Sequence, residues 1–254
     1  MARNEAMKQA GIIGAGNIGC AVAQRLIATG HEVRMANRRG PESLGDQANV
    51  LGIVPATLEQ AAGARDVVLI AIPEYAVAEL PDGLFAHTPA DAIILDAGNY
   101  YPGVRDGSIA EIDGGMPDSQ WVVSRIGRPV IKMFNMIHAN RIAESHRPAG
   151  APDRLCLTIA GDDPEDRARA IALADSIGFD GLDAGALTES WRQQPGTPVY
   201  CAHLGIDAAR AALAAARRDA VTAARQEALD RARSWQANGA QVGLWNAAGR
   251  SDRA

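Results

Sequence analysis

The sequence predicts an α/β protein with a doubly wound, mostly parallel sheet and a C-terminal helical extension, and three observations carry that prediction. Short apolar runs recur at residues 9–13, 33–36, 66–72, 92–95, 130–134 and 155–160, each bounded by Gly, Pro, Asp or Asn. Runs of this length with no polar alternation read as strands buried on both faces. Helix-length intervals separate the runs, as the crossovers between parallel strands require. The strand pattern then ends near residue 185, where Ala- and Arg-rich sequence takes over.

Composition narrows the class. A chain of 254 residues with 47% hydrophobic and 22% charged residues is long and apolar enough to bury a sizeable core. Its formal net charge of -5 provides no general cationic field, so nucleic acid and acidic membrane surfaces are not expected partners. The three cysteines, Cys20, Cys156 and Cys201, are odd in number and form no C-x-x-C pair, which fits a reducing compartment. The five histidines lack metal-ligand spacing, and no metal is expected. No window approaches 18 apolar residues and no signal peptide is readable at the start, so a cytoplasmic protein that does not span a membrane is expected.

Taken in order, the elements carry their own boundary signals. A helix over 18–29 closes at Gly30, Thr57 with Gln60 starts a short helix through a capping box, and a helix over 164–177 opens at Pro164 and closes at Gly178. Residues 207–235 read as one Ala- and Arg-rich helix about 45 Å long. Its stripe of small apolar residues, Leu213, Ala216, Ala220, Ala224 and Ala228, allows close packing on the domain or on a second subunit, so a homodimer through this helix is expected. The tail 238–254 keeps Leu244 and Trp245 as anchors. The expected division is a nucleotide-binding domain over 1–187 and a helical extension over 188–254.

The first strand runs straight into Gly14-Ala15-Gly16-Asn17-Ile18-Gly19, followed by helical spacing. In a strand, G-x-G-x-x-G, helix context each glycine has a physical reason. Gly14 makes the tight turn, Gly16 lets the backbone approach a pyrophosphate, and Gly19 lets the helix pack on the strand. The positive end of the helix then meets the phosphates. The fold is therefore of Rossmann type. The second strand should end at Asn37-Arg38-Arg39, where a carboxylate selective for the ribose 2′-hydroxyl of NAD is missing. An amide and two guanidiniums suit a 2′-phosphate instead, so NADP is the expected cofactor.

Those motifs, with Val68-Leu69-Ile70-Ala71-Ile72-Pro73 and Leu182-Asp183-Ala184-Gly185-Ala186-Leu187, resemble in order the F420-dependent NADP oxidoreductases over roughly residues 8–190. The cytoplasmic domain of the STEAP metalloreductases is similar too. The resemblance implies hydride transfer between NADP(H) and a deazaflavin (F420) or flavin-like second substrate. It implies a pyrophosphate held by Gly16, Asn17 and Ile18 and a 2′-phosphate held by Asn37, Arg38 and Arg39. Ile72 and Pro73 would flank the ribose and nicotinamide, with Ala97, Gly98 and Asn99 after the strand run at 92–95. Ala15 stands where the family commonly has Thr, and the stretches 105–117 and 191–201 differ from the family's deazaflavin-binding segments, which leaves the second substrate open.

Asn135 and His138, just past the apolar run at 130–134, are the candidate catalytic residues, and Tyr100, Tyr101 and Tyr200 are further candidate proton donors. The chain has two lysines, Lys8 and Lys132, the latter inside a strand run, so it resembles the β-hydroxyacid dehydrogenases, with their helix-borne lysine, only poorly. The Pro- and Gly-containing loop 193–201 reads as a wall or lid over the nicotinamide. Two other readings stand beside hydride transfer to a flavin or deazaflavin: reduction of a small carbonyl or imine compound, and NADP(H) sensing without turnover.

Overall fold

The computed structural model describes residues 9–223, 225–227 and 230. Six strands, β1 (Gln9–Ile13), β2 (Glu32–Ala36), β3 (Val54–Pro55), β4 (Val67–Ile70), β5 (Ile93–Asp96) and β6 (Ile131–Lys132), pair in parallel in the order β3-β2-β1-β4-β5-β6. The order reverses between β1 and β4, which makes the carboxyl ends of those strands the natural ligand crevice. Two more strands, β7 (Cys156–Ile159) and β8 (Asp180–Asp183), form a separate parallel pair. An antiparallel bridge from Lys132 to Ala160 joins that pair to β6.

Nine α-helices connect and cover the strands among the described residues: α1 (Asn17–Ala28), α2 (Gly45–Leu51), α3 (Leu58–Ala62), α4 (Glu74–Val77), α5 (Ala110–Asp113), α6 (Asp118–Ile126), α7 (Ala139–Glu144), α8 (Pro164–Ser176) and α9 (Ile206–Ala215). The side-chain alternation along β4 explains the double covering. Val67 and Leu69 enter one apolar cluster with Leu26, Ile93 and Phe179, whereas Val68 and Ile70 enter another with Ile94, Phe85 and Trp121.

The boundary signals operate as expected. Gln60 N–H donates to Thr57 Oγ1 at 3.3 Å while Thr57 N–H donates to Gln60 Oε1 at 2.9 Å, so the capping box forms. Asp163 caps α8 by accepting from Glu165 N–H at 2.7 Å, with Pro164 at the first helical position.

Three expectations are corrected. The run at 130–134 yields a strand of two residues, because the backbone turns left-handed at Phe134 (φ 69°) and leaves the sheet. β3 and β8 lie outside the apolar runs: one is a two-residue edge strand and the other, Asp-Gly-Leu-Asp, is too polar to stand out. The single helix over 207–235 does not form. α9 stops at Ala215, Ala216 is extended (ψ 136°), and a 3-10 turn follows at Arg218–Ala220. The break lets Ala216 and Val221 pack against Trp191 and sets the Arg218 guanidinium 5.6 Å from the Trp191 ring, contacts that override helix propensity. Ala209 and Leu213 join the apolar core of the sheet, against β7 and β8. Ala224, Ala228, Leu244 and Trp245 lie outside the described residues. Among the described residues no helix is long and apolar enough to cross a membrane.

Candidate active site

The side of the crevice where the adenosine is expected is built from backbone. Gly14 has φ +121°, and a Cβ there would lie 2.3 Å from the carbonyl oxygen of Ala71, so only glycine fits. Its N–H donates to Ala36 O at 2.8 Å and thereby ties the turn to β2. A Cβ on Gly19 would sit 2.0 Å from Gly14 O, which explains the third glycine as a helix-on-strand contact. A Cβ on Gly16 would meet nothing within 4 Å among the described residues, so the face it presents is open to a pyrophosphate. α1 begins directly after it with no acidic residue in its first turn. Ala15 lies in the turn with its carbonyl accepting from the Cys20 thiol at 3.6 Å, and Asn17 and Ile18 open the helix.

Beside that turn, Asn37 accepts from Arg39 N–H at 2.8 Å and exchanges hydrogen bonds with Ser43 at 3.0 and 3.1 Å. This folds the chain after β2 so that Arg38 and Arg39 stand exposed, with no ion pair among the described residues. The geometry fits a phosphomonoester better than a ribose hydroxyl, since no carboxylate occupies the strand end. Ser43 is a member of this corner that sequence reasoning missed; a serine six residues past the strand end carries no recognisable spacing.

The side of the crevice where the nicotinamide is expected is built from buried charge. Ile72 and Pro73 leave β4, and Pro73 caps α4, whose first residue, Glu74, is fully buried. Across from it, Ala97, Gly98 and Asn99 leave β5. Asn99 Nδ2 donates to Asn135 O at 2.9 Å, and Asn135 Nδ2 donates both to Asn99 Oδ1 at 3.1 Å and to Gln193 O at 2.7 Å. The two asparagines named from sequence thus meet, and through Gln193 they meet the loop read as a lid. Gln193 in turn donates to Thr158 Oγ1 on β7 at 2.5 Å. Lys132 is fully buried, with Nζ donating to Ser119 Oγ at 3.0 Å and lying 3.6 Å from Asp96 Oδ2. From sequence this lysine is only a charge inside an apolar run, with no role attached to it.

Burial, reinforced by the charges of Asp118 and Asp96, holds the Glu74 carboxyl well above the usual carboxylate range, against the opposing pull of Lys132 and Arg105. Glu74 Oε2 accepts from Arg105 at 3.0 Å, while Oε1 has no partner among the described residues.

The candidate proton donors separate cleanly. Tyr100 is structural: its hydroxyl donates to Asp113 at 2.8 Å and accepts from Ile109 N–H at 3.0 Å. Tyr101 and Tyr200 instead share a hydrogen bond between their hydroxyls, and the Arg105 guanidinium lies 4.9 Å from the Tyr101 ring. Burial pushes Tyr101 up to about 12 and Tyr200 also upward, so both are neutral phenols at physiological pH. Cys201, beside Tyr200, is in the left-handed region (φ 53°), and its N–H donates to Met136 O at 2.9 Å. Burial pushes its thiol up to about 11, which leaves it un-ionised. His138 stands at the start of α7 and pairs edge-on with His203, ring centroids 4.7 Å apart. Desolvation lowers the pKa of His138, with the Arg141 charge adding to it, and brings His203 down to about 4 with help from His138. Both rings are therefore neutral near pH 7.

Residues 9–100 match the family model described as NADP oxidoreductase, coenzyme F420-dependent. Protein YjhV of Escherichia coli (strain K12) is 44% identical over 75 residues, which is 30% of this chain and 51% of that protein, so the match spans about half the curated relative's length. The crystal structure of the hypothetical protein SMa0349 from Sinorhizobium meliloti is 29% identical, with a TM-score of 0.66 over 80% of this chain and 97% of that one. A candidate F420-dependent NADP reductase from Arthrobacter sp. FB24 shares the fold at 19% identity, with a TM-score of 0.56 over 92% of this chain and 96% of that one.

Proposed function

We propose that this chain, whose residues 9–100 match the coenzyme F420-dependent NADP oxidoreductases, passes a hydride between NADP(H) and a flavin-like or deazaflavin acceptor. The observation that carries the reading is the strand end that Gly14 N–H ties to the glycine turn through Ala36 O, after which two exposed guanidiniums, Arg38 and Arg39, have no ion pairs among the described residues. The α1 N-terminus and the backbone of 14–19 hold the pyrophosphate, and Asn37, Arg38 and Arg39 hold the 2′-phosphate. Ile72, Pro73 and the loop at Ala97, Gly98 and Asn99 orient the nicotinamide half. Bound NADPH supplies the hydride; the protein supplies orientation and a site closed to water. Asn135 acts by fixing Asn99 and the 193–201 wall at one distance from each other. The 193–201 segment serves as that wall, and the acceptor is a small molecule.

A second reading has its own observation. The Tyr101–Tyr200 hydroxyl pair offers a neutral acid with a second phenol to share the charge it leaves behind, which suits an acceptor that gains a proton on oxygen or nitrogen, such as a carbonyl or imine. The two readings part in one experiment. The purified protein is incubated with NADPH and, in turn, F420, FMN, FAD and a panel of carbonyl and imine compounds, and loss of NADPH is followed. Oxidation by F420 or a flavin supports the first reading. Oxidation by carbonyls or imines alone replaces it with the second.

A further inference from the structure

We infer that Lys132 and Arg105 are positioning residues for the nicotinamide half of NADP(H), acting through the loop 98–101 rather than on the cofactor. The inference rests on the proposed NADP(H) site and adds to it the means by which its inner end is held. Each residue of that loop has a backbone polar group taken by a charged side chain. Gly98 N–H donates to Asp96 Oδ1 at 2.9 Å, and Gly98 O accepts from Lys132 Nζ at 3.1 Å. Asn99 O accepts from Arg105 Nη2 at 2.5 Å. Tyr100 N–H donates to Asp118 Oδ2 at 3.2 Å, and Tyr101 N–H donates to Asp106 Oδ2 at 2.8 Å.

Stability alone does not explain this arrangement. Asp96, Asp118 and Lys132 are fully buried and Asp106 nearly so, and removing such charges from water costs several kcal/mol per ion that an apolar filling would not incur. What charge-assisted bonds add is a fixed direction for each amide and carbonyl. The loop is also sterically closed: a Cβ on Gly98 would lie 2.6 Å from Glu74 Oε1 and 2.9 Å from Asp96 Oδ1. Glu74 Oε1 is fully buried, without a partner among the described residues, and it faces this loop from the end of β4. Arg105 bonds Glu74 on one side and Asn99 O on the other, so a single guanidinium ties together the two strand ends between which the nicotinamide would lie. The 2′-phosphate corner after β2 is three strands away from β5, about 14 Å at the usual spacing. Loosening the loop therefore affects one half of the cofactor and spares the other.

The test is calorimetric titration of the full chain with NADPH and with 2′,5′-ADP, which carries the adenosine and 2′-phosphate but no nicotinamide. Lys132→Met and Arg105→Gln are each expected to weaken NADPH about tenfold and to leave 2′,5′-ADP within about twofold. Arg105→Lys should recover part of the loss, since one ammonium can still reach the Asn99 carbonyl. Should Lys132→Met fail to fold, Arg105→Gln decides, because the Arg105 side chain is 37% exposed and its loss leaves no buried cavity. Equal weakening of both ligands, or unchanged NADPH binding, overturns the inference alone. A wild-type protein that binds neither ligand overturns the NADP(H) site and this inference with it.

Discussion

The two ends of the crevice hold the same proposed cofactor by opposite means. At the adenosine end the contacts are backbone N–H groups and exposed guanidiniums, with open space at Gly16. At the nicotinamide end the loop after β5 is held mainly by side chains withdrawn from water, with the partly exposed Arg105 beside them, and Gly98 has no room for even one methyl group. The difference follows from the chemistry each end must perform. A phosphate needs charge and tolerates variation in position, whereas hydride transfer needs one geometry, and an ångström of misplacement costs orders of magnitude in rate.

That contrast can be broken or sharpened in several ways. The largest effect is expected from Gly14→Ala, where a side chain meets both an unfavourable φ of +121° and the Ala71 carbonyl. NADPH binding should fall more than about a hundredfold with a lowered melting temperature, whereas Gly16→Ala, with free space around it, should melt like wild type. Similar melting temperatures for the two variants would mean that the turn is not the tight one described.

Next, Tyr101→Phe should lower kcat by about a hundredfold with a carbonyl or imine acceptor while leaving the NADPH dissociation constant unchanged, the signature of a lost proton donor. An unchanged kcat removes the tyrosine pair from the chemistry. Asn135→Ala leaves Asn99 Oδ1 and Gln193 O without their donor, and should cost about 1–3 kcal/mol in stability by denaturant titration. A neutral result would show that the wall is held independently of the loop.

The smallest effect concerns pH. His203 has a folded pKa of about 4 against an ordinary value of 6.5, so between those values the unfolded chain binds the proton more readily. Stability should therefore decline as pH falls through that window. His203→Asn should flatten the decline relative to wild type in melts at pH 4.5 to 7, and parallel curves would contradict the account of a half-buried, desolvated ring.

Legibility differs between the same two regions. The glycine-turn end is readable because its signals are local: three glycines at fixed intervals and an Asn-Arg-Arg run at a strand end, with Gly14 N–H bonded to Ala36 O at that strand end. The nicotinamide end depends on contacts between distant segments. Asn99 and Asn135 are readable as strand-end residues, but their meeting, 36 positions apart, is not. Lys132 is visible only as an anomaly within an apolar run, and its partners Asp96, Ser119 and Gly98 come from other elements. The C-terminal helix is overread for a related reason. Helix propensity along 207–235 is continuous, and what breaks it at Ala216 is the approach of Trp191, a tertiary event with no local signal.

The central claim is that the corner formed by Asn37, Arg38 and Arg39 recognises a 2′-phosphate, and side-by-side titration of the protein with NADPH and NADH tests it most directly. NADPH should bind at least about tenfold more tightly, corresponding to about 1.4 kcal/mol, and the Arg38→Ala/Arg39→Ala double variant should bring the two dissociation constants together. Equal affinities in the wild-type protein, or a preference that survives loss of both guanidiniums, would contradict the account.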